Sequence, residues 1–414
     1  MEPSQGPNPD LLILTFPSGS SFTRWDRFGV IDRELPFIRG LAAAVPRILF
    51  LSIDGKHDAR IAKELSIEIG GTPAKEGQPQ IESIAERHSD ANLGANRTLE
   101  ERVLARVGAA RNIVIQTMQF DDGGIASRLL SPIRRIGRNV ALVARGSFID
   151  SRVLSSTHGP HHFKTLSLGA TEQQICSAAQ IVVGSSESMI DELCWKNGIS
   201  PRRARIIAQH VPANPFKAER EPGLLVTSGR FNGKCHQFRG AIEAVGALSP
   251  EQRSSVRLEI LGDGPDGHDL QAYAESLGVK TIITRGPTHA EIQATLARAS
   301  VYIQTEGSRR QSYTVLQAMA AGCPVIVTDL PEYNGLIENG TTGIRVNSEA
   351  RGFSFAIDCL LSDPMFQTML GDAARDRITQ RCSIDRTLRK MLACYRDAIL
   401  AAPQRGEIIE KRAS

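Results

Sequence analysis

The chain has 414 residues, 41% of them hydrophobic and 23% charged, which is the composition of a folded protein with room for two domains. Its net charge of +4 suits an anionic nucleotide or an anionic membrane face and gives no reason to expect nucleic acid as a partner. Seven scattered cysteines without a Cys-x-x-Cys pair favour a reducing compartment over a disulfide framework. The first residues lack the pattern of a signal peptide, and no apolar run approaches the roughly 20 residues of a membrane-spanning helix. We therefore expect a cytoplasmic protein, with peripheral contact at the inner membrane face left open.

In the first half of the chain, apolar runs alternate with helical patterns. Leu11–Phe16 predicts a buried strand, Pro17–Ser21 a turn, and Trp25–Ala44 an amphipathic helix. Residues 64–96 are polar and glycine-rich, so we expect a loop or small insertion there. Further strands are predicted at Arg47–Ile53, Asn112–Met118, Asn139–Val143 and Arg205–Ile207. This alternation is typical of parallel βαβ units.

The second half repeats the alternation after a polar, proline-rich segment, Pro212–Pro222, which we interpret as a linker. A final amphipathic helix is predicted at Arg386–Ala401, followed by a charged tail from Gln404 to Ser414. The predicted strands are Leu224–Thr227, Arg257–Leu261, Thr281–Ile283, Val301–Gln304 and Pro324–Thr328. We therefore expect domains at residues 1–215 and 216–385, followed by the helix and tail at 386–414.

The stretch from Val301 to Val346 predicts an anion site. A buried strand leads through a polar loop into a short helix, Tyr313–Ala321, which Gly322 stops before the next strand. A loop that feeds a helix N-terminus directs backbone N–H groups and the positive end of the helix dipole at one point. In a parallel sheet that point lies at the carboxyl ends of the strands, where ligands bind.

The same stretch resembles the donor-sugar signature of retaining glycosyltransferases of family 4. In that family the signature is Glu-Gly-Phe-Gly, a hydrophobic stretch, and then Glu-Ala-Met-Ala-x-Gly-x-Pro-Val-Ile. Here Gln317–Ile326 reads QAMAAGCPVI, and the family's downstream Pro-Glu and Asp-Gly-x-x-Gly are matched at Pro331-Glu332 and Glu338–Gly343. The resemblance implies an α/β protein of the GT-B fold, in which two Rossmann-like parallel-sheet domains face a central cleft. The first domain would be the acceptor side and the second would bind the nucleotide sugar, with the last helix crossing back to the first.

The resemblance also implies a reaction. A hexose-like sugar would move from a nucleoside diphosphate sugar to an acceptor hydroxyl with retention of configuration, in glycan, polysaccharide or glycoconjugate biosynthesis. The nucleotide sugar is a substrate, and no cofactor is expected. The acceptor is a glycan, a lipid-linked molecule or a small molecule. Fixed cations would stabilise the departing diphosphate, so no divalent metal is expected.

Those cations would lie after the first strand of the second domain. Gly229-Arg230 is followed by Lys234 and by a helix, in an order similar to the family's Gly-Arg, Lys-Gly and Ile-x-Ala. Arg230 and Lys234 would bind the diphosphate, although Arg239-Gly240 could take the lysine's part. The alternative is a solvated basic helix start. Gly262 begins a Gly-Asp-Gly-Pro turn like the family's Gly-x-Gly-Pro. Asp263 and Asp266 suggest a metal site as an alternative, but turn formation is favoured.

The donor-binding segment departs from the family at two positions. Gln317 stands where the family has a glutamate that accepts from the donor ribose hydroxyls; it keeps one acceptor oxygen and loses the charge. The first family glutamate would fall at Arg309. Either an insertion lets Glu306 serve, or the role is lost, or Gln311 takes part of it. The residues that fall where the family's loop amides touch sugar and diphosphate are Ser312, Tyr313 and Thr314.

In the first domain the signals are weaker. Gly19 and Ser20 follow the first strand, where the family's glycine loop approaches phosphate and acceptor, and Trp25 lies on the next helix. Arg145, at a strand end, resembles an Arg-Gly of some family members and could orient a phosphate; the alternative is a strand-end salt bridge. The run His158–His162 contains a Gly-Pro that forbids a helix, so a polar loop is favoured over a zinc site.

Two rival functions remain open from the sequence. One is a sugar-nucleotide epimerase or hydrolase of the same fold. The other is a catalytically silent nucleotide-binding scaffold, which Gln317 and Arg309 favour. A nicotinamide-dependent oxidoreductase is disfavoured because no Gly-x-Gly-x-x-Gly follows the first strand.

Overall fold

The structure, a computed structural model, describes residues 6–17, 19–27, 29–53, 57–70, 80–85, 98–122, 124–146, 161–216, 218–231, 236–264, 267–305 and 311–403. The chain divides into two compact units. Unit 1 combines the chain up to Ala208 with the segment that begins at Thr387, and unit 2 is Gln209–Arg386. The first boundary thus precedes the predicted one at residue 215.

Unit 1 is built on a sheet of seven parallel strands in the order β3-β2-β1-β4-β5-β6-β7. Its strands are β1 (Leu11–Thr15), β2 (Arg47–Ser52), β3 (Gln80–Ala85), β4 (Asn112–Thr117), β5 (Asn139–Arg145), β6 (Ile181–Gly184) and β7 (Ala204–Ile206). In the central strand, Ile13 lies in register between Leu49 and Ile115. These strands are nearly continuous apolar runs because helices cover both faces of a parallel sheet.

The helices of unit 1 confirm most of the predicted alternation. They are α1 (Phe22–Arg27), α2 (Val30–Ala44), α3 (Asp58–Gly70), α4 (Leu99–Val107), α5 (Ile125–Arg135), α6 (Phe163–Ala178) and α7 (Glu187–Asn197). The prediction of one helix over Trp25–Ala44 is wrong. Gly29 has a φ of 62°, a left-handed conformation that separates α1 from α2.

The prediction of a loop over residues 64–96 is also wrong in part. Helix α3 runs to Gly70, and β3 pairs in parallel with β2 at the edge of the sheet. Ile81 and Ile84 are buried, whereas Glu82 accepts hydrogen bonds from Arg47 and Arg106. An edge strand with such polar positions lacks the continuous apolar run that revealed the other strands.

The last helix, α15 (Ile384–Leu400), packs into unit 1. Met391, Tyr395 and Ala398 are wholly buried on it. The Tyr395 hydroxyl donates a 2.6 Å hydrogen bond to Oε1 of Gln116, a buried residue of β4. The final helix therefore completes the core of the unit in which the chain begins.

Removing that bond should destabilise unit 1. We expect Tyr395→Phe to cost about 1–3 kcal/mol of unfolding free energy, because it leaves a buried acceptor without its donor. Native-state hydrogen exchange of the β1 and β4 amides would report on unit 1 separately. The matched control is Tyr273→Phe, which removes a hydrogen bond to Glu243 at the surface of unit 2 and should cost less than about 1 kcal/mol. Equal effects in the two variants would contradict this account of α15.

Unit 2 repeats the architecture with six parallel strands in the order β10-β9-β8-β11-β12-β13. The strands are β8 (Leu224–Arg230), β9 (Arg257–Asp263), β10 (Thr281–Arg285), β11 (Val301–Gln304), β12 (Val325–Thr328) and β13 (Ile344–Val346). Its helices are α8 (His236–Gly246), α9 (Pro250–Ser255), α10 (Leu270–Ser276), α11 (His289–Arg298), α12 (Tyr313–Ala320), α13 (Ala350–Ser362) and α14 (Pro364–Cys382). The five strands predicted here are confirmed, and β13 was missed.

The predicted linker lies along unit 2 without regular secondary structure. The backbone N–H of Val211 donates to the carbonyl of Cys382, and the Asn214 amide donates to the carbonyl of Gln293. Arg220 donates to the carbonyl of Ala299. These bonds assign most of the proline-rich segment to unit 2.

Candidate active site

The strand order of unit 2 places a switch point between β8 and β11. From β8 the chain builds the sheet outward through β9 to β10, and from β11 it builds the other way through β12 to β13. The connections on the two sides leave a crevice at the carboxyl ends of the two central strands, which is where ligands bind in sheets of this kind. Of the sequence-predicted donor residues, Gly229 lies at the end of β8, and Gln311, Ser312, Tyr313, Thr314 and Gln317 follow β11 in the chain.

Glycines let the backbone come close at this edge. Arg230 is exposed at the end of β8, in register with Asp263 at the end of β9. A Cβ on Gly262 would lie 2.7 Å from the carbonyl oxygen of Gly229 and 2.6 Å from the ring of Phe231. Gly262 is therefore needed for the packing of the strand ends that present Arg230.

A buried polar network lies beneath the switch point. The Tyr302 hydroxyl is 3.2 Å from Ser228 Oγ and donates to Gln304 Oε1 at 2.9 Å. The Gln304 amide donates to Gln237 Oε1 at 3.3 Å, and Thr305 Oγ1 donates to the Gln237 carbonyl at 2.5 Å. The network joins the first turn of α8 to the end of β11, so the same hydrogen bonds support both elements at the crevice. Sequence reasoning missed it, because these polar residues are scattered over separate elements.

Helix α12 begins on the other side of the crevice. The backbone N–H of Ser312, its N-cap residue, is 3.4 Å from the Tyr333 hydroxyl. The Gln311 amide donates to the carbonyl of Glu332 at 3.2 Å. Gln311 is 6% exposed, and its Oε1 has no hydrogen-bond partner among the described residues. Gln311 and Ser312 are thus tied to the short 3₁₀ turn Pro331–Tyr333, and Tyr313 and Thr314 follow in the first helical turn.

Two arginines hold the opposite end of α12. Arg220 donates to the carbonyl of Gly322, and Arg375 donates to the carbonyl of Ala321 at 3.2 Å. Gly322 has a φ of 70°, as expected for the glycine that ends a helix. Cations at a helix C-terminus complement the helix dipole, so they stabilise α12 in the orientation that points its N-terminus at the crevice.

Gln317 lies in the fifth position of α12 and is 5% exposed. Its amide Nε2 is 3.3 Å from Nδ1 of His289, the first residue of α11. The position predicted to face the donor is therefore buried and anchored by a histidine that sequence reasoning did not single out.

The candidate residues of the first turn in unit 1 make local structure. Gly19 has a φ of 72°, and its carbonyl accepts a 2.9 Å hydrogen bond from Arg24. Ser20 closes a turn onto the carbonyl of Pro17. Trp25 is half-buried and packs edge-on against Phe16 with ring centroids 4.9 Å apart. The contacts of Trp25 are those of a packed aromatic residue.

Arg145 is an interior cation of unit 1. It is 9% exposed, and its guanidinium lies 6.0 Å from the ring of Phe37. Burial lowers the pKa of Arg145, while Tyr395 and Glu34 oppose that effect electrostatically. These surroundings, among residues of α2 and α15, favour a positioning role over direct contact with a substrate.

Some candidates fall outside the described residues: Lys234, Glu306, Arg309, Asp266 and His158. Of the histidine run, His162 is the N-cap of α6, and its Nδ1 accepts from the backbone N–H of Lys164 at 3.2 Å. Within the part of the chain that the structure describes, no three histidine, cysteine or carboxylate side chains are grouped as metal ligands would be.

The family match falls on unit 2. Residues 222–363 match the family model described as glycosyl transferases group 1. This segment, which we call the group 1 domain, is similar to that family. The group 1 domain thus includes all six strands of unit 2 and both sides of the crevice, from Arg230 to Gln317.

Similarity to known proteins extends beyond the group 1 domain. D-inositol 3-phosphate glycosyltransferase of Pseudarthrobacter chlorophenolicus is 27% identical over 247 residues, which cover 55% of this chain and 58% of that protein. The match thus spans less than two thirds of the relative's length. Sucrose-phosphate synthase of Thermosynechococcus elongatus has a TM-score of 0.69 at 15% identity, covering 95% of this chain and 99% of that one. Anabaena HepE in complex with UDP has a TM-score of 0.65 at 17% identity, covering 92% and 98%. At these identities the structures show the fold alone, and that fold is GT-B, as predicted.

No helix among the described residues has both the length and the apolar character required to cross a bilayer.

Proposed function

We propose that this protein is a retaining glycosyltransferase that moves a hexose-like sugar from a nucleoside diphosphate sugar to an acceptor hydroxyl. The observation that carries the proposal is the group 1 domain itself, whose switch point brings together Arg230, Gly262 and the N-terminus of α12. Cations and helix N–H groups at one crevice suit a ligand with a diphosphate. The solved GT-B structure of HepE contains UDP, which supports a nucleoside diphosphate donor here.

The proposed mechanism needs no protein nucleophile. The bond between the anomeric carbon and the diphosphate oxygen breaks while the acceptor oxygen bonds to the same carbon on the same face. The acceptor proton passes to the departing diphosphate, so atoms and charge balance. Arg230 and Lys234 stabilise the negative charge that builds on the leaving oxygen, and the N–H groups of Tyr313 and Thr314 supply further donors.

Other residues have supporting roles in this proposal. Gln317 and Gln311 offer amide oxygens to the donor, and Glu306 could replace the missing first glutamate of the family. In unit 1, Arg145 positions the surrounding helices, and the turn at Gly19 and Ser20 lies on the acceptor side. The acceptor is a glycan, a lipid-linked molecule or a small molecule, including one bound at a membrane surface.

A catalytically silent nucleotide-binding subunit is the second candidate. Position 317 carries an amide, whereas the family usually has a carboxylate there. The two candidates differ in turnover. Thermal-shift screening against nucleoside diphosphates and their sugars would identify a donor, and NMR of products from an acceptor panel that includes inositol phosphates would detect transfer. An α-linked product from an α-linked donor supports the proposal. Donor binding without any turnover favours the silent subunit, and free sugar or an epimer without acceptor favours a hydrolase or epimerase.

We expect sugar transfer to survive chelation. With Arg230 and Lys234 as the fixed cations, the initial rate in EDTA should match the rate in buffer, because no metal bridges the diphosphate. The measurement is product formation with and without EDTA, followed by addition of magnesium or manganese. Loss of activity that either ion restores would assign the leaving-group role to a metal.

A further inference from the structure

We propose that His289 is a positioning residue, which holds the Gln317 amide so that its oxygen accepts a hydrogen bond from one ribose hydroxyl of the donor nucleotide. The proposal rests on the function proposed above and adds a residue 28 positions away from Gln317 in the chain. It concerns described residues of unit 2 alone.

The orientation of the amide follows from the hydrogen bond. Nε2 of an amide can only donate, so Nδ1 of His289 accepts this hydrogen bond, a role that it has in the tautomer with the ring proton on Nε2. The two polar atoms of an amide lie on opposite sides of its carbon, so fixing Nε2 against His289 fixes where Oε1 points. Among the described residues, the Gln317 side chain makes no hydrogen bond except this one, which leaves Oε1 as an available acceptor.

The histidine is itself held by its helix. It follows Thr288, the N-cap of α11, whose side chain accepts from the backbone N–H of Glu291 at 3.2 Å. The Glu291 carboxylate in turn accepts from the backbone N–H of Thr288 at 2.7 Å. This reciprocal capping box fixes the backbone immediately before His289, so the ring offers Nδ1 from a defined place.

The direction of the Gln317 side chain agrees with a donor site. Side chains on a helix lean toward its N-terminus, and the N-terminus of α12 faces the crevice at the switch point. The N-terminal end of α11 reaches the same amide through His289. Oε1 of Gln317 is thus an uncharged acceptor near the N-termini of α11 and α12, and such an acceptor suits a neutral hydroxyl donor.

The single amide oxygen of Gln317 limits how many ribose hydroxyls this side chain can bind. A carboxylate at this position could accept from two neighbouring hydroxyls, whereas the amide, with Nε2 engaged by His289, has one oxygen left. We therefore expect one of the two ribose hydroxyls to matter much more for binding than the other.

Calorimetric titration with UDP, 2′-deoxy-UDP and 3′-deoxy-UDP tests this on the full chain. Another nucleoside diphosphate and its deoxy analogues replace them if the donor screen selects a different base. The wild-type protein should bind one deoxy analogue about tenfold more weakly than the parent nucleotide, which corresponds to one hydrogen bond. Gln317→Leu should weaken binding of the parent nucleotide and remove the discrimination between the analogues.

The decisive variants change His289. His289→Phe keeps a ring and removes the acceptor, so discrimination between the analogues should disappear. His289→Asn can present an oxygen near the place of Nδ1 and should restore it. In Gln317→Leu, adding His289→Phe should cause no further loss. Melting temperatures of all variants separate these effects from unfolding.

The outcomes are distinct. If His289→Phe keeps full discrimination while Gln317→Leu loses it, His289 has no positioning role and the inference is overturned. Equal binding of both deoxy analogues by the wild-type protein also overturns it, while leaving the proposed function intact. If the folded wild-type protein binds no nucleoside diphosphate at all, the proposed function itself fails.

Discussion

Arg230→Ala should slow sugar transfer by about 10²–10³-fold, the loss typical of removing one preorganised donor from a developing oxyanion, equivalent to ~2.7–4 kcal/mol. Arg230 is exposed at the carboxyl end of β8, on the switch-point crevice, where a departing diphosphate would acquire negative charge. A fixed guanidinium stabilises that charge without reorganisation. Initial rates at saturating donor and acceptor would measure the effect, and Lys234→Ala should lower the rate in the same direction.

The matched control is Arg381→Ala, which removes an exposed arginine from the last turn of α14 and should leave the rate unchanged. Arg230→Lys keeps the charge and loses the bidentate geometry, so it should recover part of the rate. Wild-type turnover in Arg230→Ala would remove this residue from the diphosphate site.

Gly371→Ala should destabilise unit 2. Gly371 lies in α14 where this helix packs on the end of α12, and a Cβ there would be 2.0 Å from the carbonyl oxygen of Gly322. The contact is with a backbone carbonyl that also accepts a hydrogen bond from Arg220. Moving this carbonyl away from the added Cβ would disturb that hydrogen bond. Overpacking of this kind costs typically about 1–3 kcal/mol and occasionally more. Hydrogen exchange of the β11 and β12 amides would measure it for unit 2.

Gly352→Ala is the control for that substitution. A Cβ on Gly352, in α13, would come closest to Oδ1 of Asn347, the end of a flexible side chain, at 2.6 Å. Because alanine favours a helix over glycine by about 0.5–1 kcal/mol, this variant should be neutral or slightly stabilised. Gly371→Ala should also weaken nucleotide binding by the folded protein, since α12 carries the candidate donor site. A stability equal to that of Gly352→Ala would show that the helices can separate there at little cost.

Much of the fold could be predicted because parallel strands buried on both faces are continuous apolar runs. Leu11–Phe16 and Val301–Gln304 are such runs, and both are strands within one residue of the prediction. The break at Gly29 was missed because the apolar periodicity continues across it, and only the backbone conformation interrupts the helix. The edge strand β3 was missed because its polar positions are satisfied by arginines of other elements.

The candidate site was predictable where residues lie close together in the chain. The run after Gln317 fixed the register of α12, and Gly229 and Gly262 marked strand ends that meet in the sheet. The partners of those residues were not predictable. His289 reaches Gln317, and Tyr302 reaches Ser228, only because separate elements pack side by side. The packing of separate elements decides which polar residues meet, so no short sequence motif predicts these pairs.

The membership of α15 in unit 1 has a consequence for how the chain folds during its synthesis. A ribosome releases every residue of unit 2 before it releases Tyr395, whose hydroxyl completes the buried bond to Gln116. The contiguous unit 2 can therefore reach its native state first. Unit 1 is synthesised earlier, but part of its core stays exposed until α15 is available. This order would reverse the usual N-to-C sequence of domain folding, and a stop codon directly after residue 386 would release a chain that contains all of unit 2 and lacks most of α15.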